Sequence, residues 1–422
     1  MTRYASTLLI ALLAGLTLFG GFNALVDPFG ITGAPDIPGL TARDTRLLED
    51  GGRVHVADRL ARGGDRAILL GSSRTVDGFP HEPEHWPGGI YNAGMRGTNI
   101  FELSQAAALA ARNEELRCVV IGLDLDEFGV HSKAKATYWL SALTDGRRWL
   151  SLARVSLSPN TFGASLQLIA DNLTGGAPRV PWAETYPAGA QRERYESGAR
   201  GIYSWYQGYT FDPERLMMFQ DVLDALTASG IQVTGFIHPL HAWREEALVR
   251  SGALDEYLAF RQLLAETFEA YSDREPVEAC VPGGGAVLWD FSGFQPFARQ
   301  PAPGPEQTGA HPAFYEPSHY LPHVGQAMLE RMRLERMEAP SGTVPFGVRL
   351  TPGTAASTAD ALRERRQAWL ERPDGLAATA LFDDLEQTRP EPEVPTPQFL
   401  NRDDRRSLDD KLERIAPAAS RR

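Results

Sequence analysis

The sequence predicts an α/β protein: a three-layer α/β/α arrangement around a parallel sheet. Two observations carry the prediction. Short apolar runs bounded by turn residues occur at 67–70, 89–91, 118–121, 233–237 and 286–289, each of a length suited to a buried strand. Helical patterns fall between and after them. Residues 102–112 are Ala-rich, 212–227 follow the start signal Phe211-Asp212-Pro213, 255–271 are amphipathic, and 322–337 follow a histidine motif. Strands that alternate with helices imply a parallel sheet covered on both faces.

Functional side chains in such sheets gather beyond the carboxyl ends of the strands. Ser73, Gly94 and Asp124 each lie just past an apolar run, and the fourth and fifth runs end in His238-Pro239-Leu240-His241 and Asp290-Phe291-Ser292-Gly293. Five strand ends are therefore expected to converge on one rim. The first of them, Gly71-Ser72-Ser73-Arg74, can lift a hydroxyl into reach of backbone N–H groups, as an acyl-transfer nucleophile requires. The same residues also suit an ordinary strand-to-loop transition. Far downstream, Tyr315-Glu316-Pro317-Ser318-His319-Tyr320 places a carboxylate three residues before a histidine. At that spacing the carboxylate reaches imidazole Nδ1 and leaves Nε2 free to take a serine proton.

In content and order these blocks resemble the SGNH, or GDSL-like, hydrolase superfamily over about residues 66–330. The chain looks closest to a membrane-anchored, cell-envelope branch related to the alginate O-acetyltransferase proteins and the D-alanine transfer protein of teichoic acid. The resemblance implies a flavodoxin-like fold with Ser73 as nucleophile, His319 as base and Glu316 as the orienting acid. Tyr91-Asn92-Ala93-Gly94 matches the family's second block, which makes the N–H groups of Ser73 and Gly94 the oxyanion donors. The third block departs from the pattern. Where the family has Gly-x-Asn-Asp, this chain has Gly122-Leu123-Asp124-Leu125-Asp126, which lacks the side-chain amide donor and puts a carboxylate near a developing negative charge.

By the same resemblance, the expected activity is acyl transfer or ester hydrolysis at O-acyl groups, acetyl above all, of a secreted or cell-surface polysaccharide. Its partners would be a polysaccharide acceptor, an acyl donor and a membrane-bound acyltransferase, with no cofactor. Candidates for substrate contact are Arg74, Arg96, Asp124, His238, His241 and Trp205. Arg74 and Arg96 are equally suited to ion pairs with Asp77 or Asp124, and the two histidines to packing. The His238-x-x-His241 spacing contains Pro239 and lacks a nearby carboxylate on a helical face, so no metal site is expected. The competing function is a non-catalytic glycan-binding or assembly scaffold of the cell envelope, which Asp124 and the long C-terminal region favour.

The N-terminus sets the compartment. Residues 8–26 are uncharged and apolar, and as a helix would extend ~28 Å, enough to span a bilayer core. A cleavable signal peptide has a similar apolar centre, but small residues at the usual cleavage spacing are hard to find, which favours an uncleaved anchor. Arg3 precedes the stretch and Asp27 and Asp36 follow it, so the N-terminus is expected inside and the remainder in the periplasm or outside the cell. Cys118 and Cys280 then occupy a disulfide-permissive space, where a bridge competes with two buried thiols.

Net charge of −12 and only three lysines leave no basic stripe for a nucleic-acid partner. The chain is expected to divide into an anchor (1–30), an α/β domain (31–338) and a C-terminal extension (339–422). Within the domain, 129–210 reads as an aromatic-rich insertion or lid, whose Tyr138, Trp139, Trp149, Trp182, Tyr186, Tyr203, Trp205, Tyr206 and Tyr209 suit either a lid core or a sugar-stacking platform. The extension has a helical stretch at 359–372 and four prolines within 388–397, a composition that cannot bury enough surface to order itself throughout.

Overall fold

All five apolar runs form strands: β1 Ala67–Leu70, β2 Tyr91–Asn92, β3 Cys118–Leu123, β4 Gln232–Ile237 and β5 Ala286–Asp290. These are features of a computed structural model that describes residues 2–42, 52–80, 86, 88–175, 187–334, 346–388, 408–409 and 411–412. Two further strands, β6 Phe314–Glu316 and β7 His319–Tyr320, pair as an antiparallel hairpin, and β8 Val348–Arg349 closes one edge of the main sheet. The main sheet has the order β2-β1-β3-β4-β5-β8. Its first five strands are parallel, with Ile68 opposite both Tyr91 and Val119, and Ile121 opposite Gly235. The expected sheet is therefore mostly parallel, with β8 as an antiparallel edge. Every residue of β1, β3, β4 and β5 is buried, as strands covered on both faces must be.

The chain divides into two compact units, one of residues 1–63 and 135–180, the other of 64–134 and 181–422. The second unit holds the sheet. After β1 comes the short helix α3 Ser73–Gly78, and α4 Ile100–Ala110 links β2 to β3. The helices α7 Ala190–Tyr206 and α8 Pro213–Ala228 precede β4, and α9 Ala242–Arg250 and α10 Leu254–Glu269 lie between β4 and β5. Right-handed crossovers put α4, α8 and α10 on one face of the sheet and α3 on the other. The rings of Phe219 and Phe268 join α8 to α10, while α11 Pro322–Leu334 packs on α3. Strand order reverses direction between β1 and β3, the switch point at which open α/β sheets leave a crevice.

The first unit contains α1 Thr2–Val26, α2 Arg53–Arg62, α5 Arg148–Ser156 and α6 Pro159–Thr174. Residues 4–18 of α1 are exposed, whereas its last two turns pack on α5 and α6. Phe19 stacks on Phe162 at 5.2 Å, and the buried Asn23 donates Nδ2–H to Ser156 O at 2.9 Å and accepts from Ser165 Oγ at 3.2 Å. Asp27, with φ of 49°, ends the helix, and its carboxylate accepts the N–H groups of Ile31, Thr32 and Gly33 at 2.8 to 3.2 Å. The helix expected as a separate anchor over 1–30 is thus built into a unit that also takes part of the 129–210 segment.

The C-terminal region carries more structure than its composition implies. Residues 346–388 supply β8, α12 Pro352–Leu370 and α13 Pro373–Gln387. Trp369 is fully buried, Trp243 Nε1 donates to Asp374 Oδ1 at 3.2 Å, and Arg366 pairs with Glu246 at 2.7 Å. Trp243 and Glu246 of α9 thus tie this stretch into the second unit. The proline-rich 389–397 lies outside the described residues. Cys118 and Cys280 are joined as a disulfide, with their Cα atoms 6.3 Å apart.

Candidate active site

β1 delivers its last residue to the rim, and the chain turns sharply into α3. A Cβ at Gly71 would collide with the Thr75 hydroxyl, so only glycine lets the helix start so close to the strand. Ser72 takes the N-cap position, and Ser73 opens α3 with its side chain half-buried. The second component comes from the β6–β7 hairpin, in which Glu316 faces His319 across a tight turn through Pro317 and Ser318. The Glu-x-x-His spacing is therefore read out by strand pairing.

These two segments, 246 residues apart in sequence, meet. His319 Nε2 lies 2.7 Å from Ser73 Oγ, and His319 Nδ1 is hydrogen-bonded to Glu316 Oε1. Glu316 Oε2 also accepts the Ser318 N–H at 3.1 Å. Burial acts to raise the Glu316 carboxyl, but the His319 partner, the Ser318 N–H and the Arg244 charge outweigh it and hold the group below its usual range. An ionised acid on Nδ1 fixes the tautomer in which Nε2 can accept the serine proton.

Under the hairpin lies a buried set of charges. Arg74 pairs with Asp124 through Nη1, reaches Asp126 Oδ2 at 3.1 Å through Nη2 and donates Nε–H to Ser318 O at 3.2 Å. Arg244, from α9, bonds Asp126 Oδ2 at 2.6 Å and Ser318 Oγ at 2.8 Å, and Tyr206 of α7 donates its hydroxyl to Asp126 Oδ1. Two guanidinium groups and two carboxylates balance in charge. Burial would raise the Asp126 carboxyl, yet Arg244 and Arg74 bring it down to about 2. The network ties the end of β3, the start of α3 and two helices to the turn that carries Glu316 and His319.

The other side of His319 is also built. The Tyr315 ring stacks on the imidazole at 5.3 Å, and its hydroxyl donates to Asp77 Oδ2 at 2.5 Å. Asp77, fully buried on α3, sits 4.0 Å from His319 Nε2 and accepts Arg96 Nη1 at 2.7 Å.

The sequence candidates for substrate contact sort clearly. Arg74 and Arg96 take the ion-pair option: Arg74 is buried against Asp124, which in turn is neutralised by it, and Arg96 holds Asp77. His238 is fully buried with Nδ1 on the Tyr320 hydroxyl at 2.8 Å, and burial lowers it to about 4. His241 is equally buried: it caps α9 by accepting the Trp243 N–H at 3.2 Å, its Nε2 meets Gln300 O at 2.9 Å, and it too is lowered to about 4. Neither histidine reaches the rim, because each ring nitrogen used is spent inside the fold. Trp205 remains 46% exposed on α7. Tyr203, Tyr206 and Tyr209 are buried in the second unit and Tyr138 in the first; Trp139 and Trp149 are exposed, while Trp182 and Tyr186 lie outside the described residues.

The Gly94 N–H, expected as an oxyanion donor, already has a partner in this geometry. The Gly94 N–H donates to Asn92 Oδ1 at 3.1 Å, a local turn in which the side chain two residues back satisfies the backbone. Sequence reasoning did not identify Arg244, Tyr206 or Ser318 as parts of this region. Asp126 was signalled by the alternating Gly122-Leu123-Asp124-Leu125-Asp126, but Arg244, inside an ordinary helical pattern, carries no such signal. Among the described residues no group of His, Cys, Asp and Glu side chains could hold a metal ion. No protein-family model matches the chain, and no curated protein matches it significantly.

Proposed function

We propose that the second unit is an SGNH-like acyltransferase or esterase that acts on O-acyl groups, acetyl above all, of a secreted or cell-surface polysaccharide. The observation that carries this reading is the relay Ser73 Oγ, His319, Glu316, assembled from two distant segments at 2.7 Å between nucleophile and base. His319 removes the Ser73 proton as Oγ attacks the acyl carbonyl, and Glu316 stabilises the imidazolium. The same proton passes to the leaving alkoxide, and a sugar hydroxyl or water then releases the acyl group by the reverse sequence. The Ser73 N–H at the start of α3 is the first oxyanion donor, and Gly94 joins it by sharing its N–H between Asn92 and the substrate. Pairing of Asp124 with Arg74 removes the repulsion that an isolated carboxylate would exert there.

The reading places α1 across a membrane with the N-terminus inside and the catalytic unit in the periplasm or outside the cell. Two features support it: Tyr4–Val26 is long and apolar enough to cross, and the Cys118–Cys280 bridge suits an oxidising compartment. Protease added to intact spheroplasts is expected to digest the region after Gly30, and protection would place the unit in the cytoplasm.

A second reading, a non-catalytic glycan-binding or assembly scaffold, is favoured by the committed Gly94 N–H and by the carboxylate at Asp124. The two separate in one experiment. The full chain in detergent is treated with a chromogenic acetyl ester and a serine-directed fluorophosphonate; ester turnover and labelling that both vanish in Ser73→Ala support the enzyme. Absence of both in the parent chain supports the scaffold.

A further inference from the structure

The anchor helix is partly covered by its own unit. Its apolar span, Tyr4–Val26, is bounded by Arg3, and residues 4–18 form the continuous stretch that stands clear of the rest of the unit. At ~1.5 Å per residue that free stretch extends ~22 Å, whereas a bilayer core is ~30 Å thick. The missing ~8 Å corresponds to about five more residues, which brings Phe19, Gly20 and Asn23 inside the core.

Those are the positions that α5 and α6 cover. Phe162 stacks on Phe19 at 5.2 Å, a Cβ on Gly20 would lie 3.2 Å from Leu157 Cδ2, and Ser165 bonds Asn23. If α1 crosses the membrane, the segment that touches these residues must enter lipid with it. Its composition suits lipid. From Pro159 to Ala170 there is no charged residue, and Leu157 and Leu166 are 48% and 49% exposed. Asn23, a polar side chain at this depth, has both ends of its amide satisfied by Ser156 O and Ser165 Oγ, as a hydrocarbon setting demands.

We propose that the α5–α6 connection and the first turns of α6 are seated in the bilayer leaflet at the C-terminal end of α1. The occupant of this apolar surface is lipid. The first unit then holds the chain at a fixed depth, completing the thickness that the exposed part of α1 leaves short. The proposal rests on the reading of α1 as a membrane span, and its test separates the two.

The bridged Cys118–Cys280 pair leaves an introduced thiol as the labelling site. Single variants Leu12→Cys, Leu157→Cys, Leu166→Cys and Val277→Cys, all at exposed positions, are labelled with the environment-sensitive dye NBD. The full chain is reconstituted into phosphatidylcholine vesicles containing acyl-chain nitroxide lipid. Blue-shifted emission with strong loss to the nitroxide is expected at Leu12 and Leu157, a smaller loss at Leu166, and none at Val277. If Leu12 is quenched while Leu157 and Leu166 behave as Val277, the proposal is overturned and the bilayer thins around α1, with the span intact. If Leu12 also escapes quenching, the span itself is wrong and the proposal falls with it.

Discussion

The His319 hairpin and the α1–α6 junction solve the problem of holding an element in place by opposite means. The hairpin is fixed by directed charge: Arg74, Arg244, Asp124 and Asp126 meet beneath Ser318, and Asp77 with Tyr315 faces the imidazole from the other side. The junction in the first unit relies on aromatic stacking and a single buried amide, Asn23. Hydrogen-bonded ion pairs fix angles as well as distances, which the proposed proton transfer between His319 and Ser73 requires. Apolar contact supplies area without direction, enough for a helix that needs only to stay attached.

The comparison is broken most decisively at the relay itself. Under the proposed mechanism His319→Ala is expected to lower ester turnover on the order of 10⁶-fold, and Glu316→Gln on the order of 10⁴-fold, by the behaviour of residues that act as a unit. Equal activity in parent and His319→Ala chains, measured as kcat with a chromogenic ester, would detach the hairpin geometry from chemistry.

Arg244→Met tests the charges beneath the hairpin. It leaves Asp126 with Arg74 as its remaining cation and takes the Arg244 donor from the Ser318 hydroxyl, so a loss of about 3 kcal/mol in unfolding free energy is expected, together with reduced kcat. A stable variant with full activity would show that the hairpin does not depend on that network.

Acid should separate two kinds of buried group in the second unit next. His238 and His241, held neutral at about 4, take up protons more readily when unfolded, so each withdraws about 1.4 kcal/mol per pH unit as pH falls from ~6.5 towards 4. Asp126, depressed to about 2, keeps its contribution above ~4 and loses it only between ~4 and ~2. The unfolding free energy should therefore fall first between pH ~6.5 and ~4 and again below ~4, which denaturant melts across that pH range check. The smallest effect is expected in the first unit: Asn23→Ala removes the hydrogen bonds to Ser156, Ser158 and Ser165 and should cost about 1–2 kcal/mol there, while ester turnover in the second unit stays at the parental rate.

The five sheet strands were legible because each is a local apolar run, and Ser73, Glu316 and His319 because their spacing states what each can reach. β8 was not, since two residues, Val348 and Arg349, carry no periodicity and become a strand only by adding to the exposed edge of β5. The helices of 346–388 look polar in sequence, yet Trp369 packs on Phe294 and Asp374 accepts from Trp243 of α9, all of them inside the second unit.

By itself, then, the sequence determined the five parallel strands, the alternation that makes the sheet parallel, the apolar length of α1 and the pairing of Glu316 with His319. Tertiary structure decided what the charges do. Arg74 and Arg96 were equally suited to substrate and to Asp124 or Asp77, and only the fold brings those carboxylates within hydrogen-bonding distance while shutting out water. It likewise decided that His238 and His241 face inward and that α1 is built into its unit. The physical reason is one of range: periodicity and turn chemistry act over a few residues, whereas the role of a charge depends on which partner, often a hundred residues away, shares its low-dielectric surroundings.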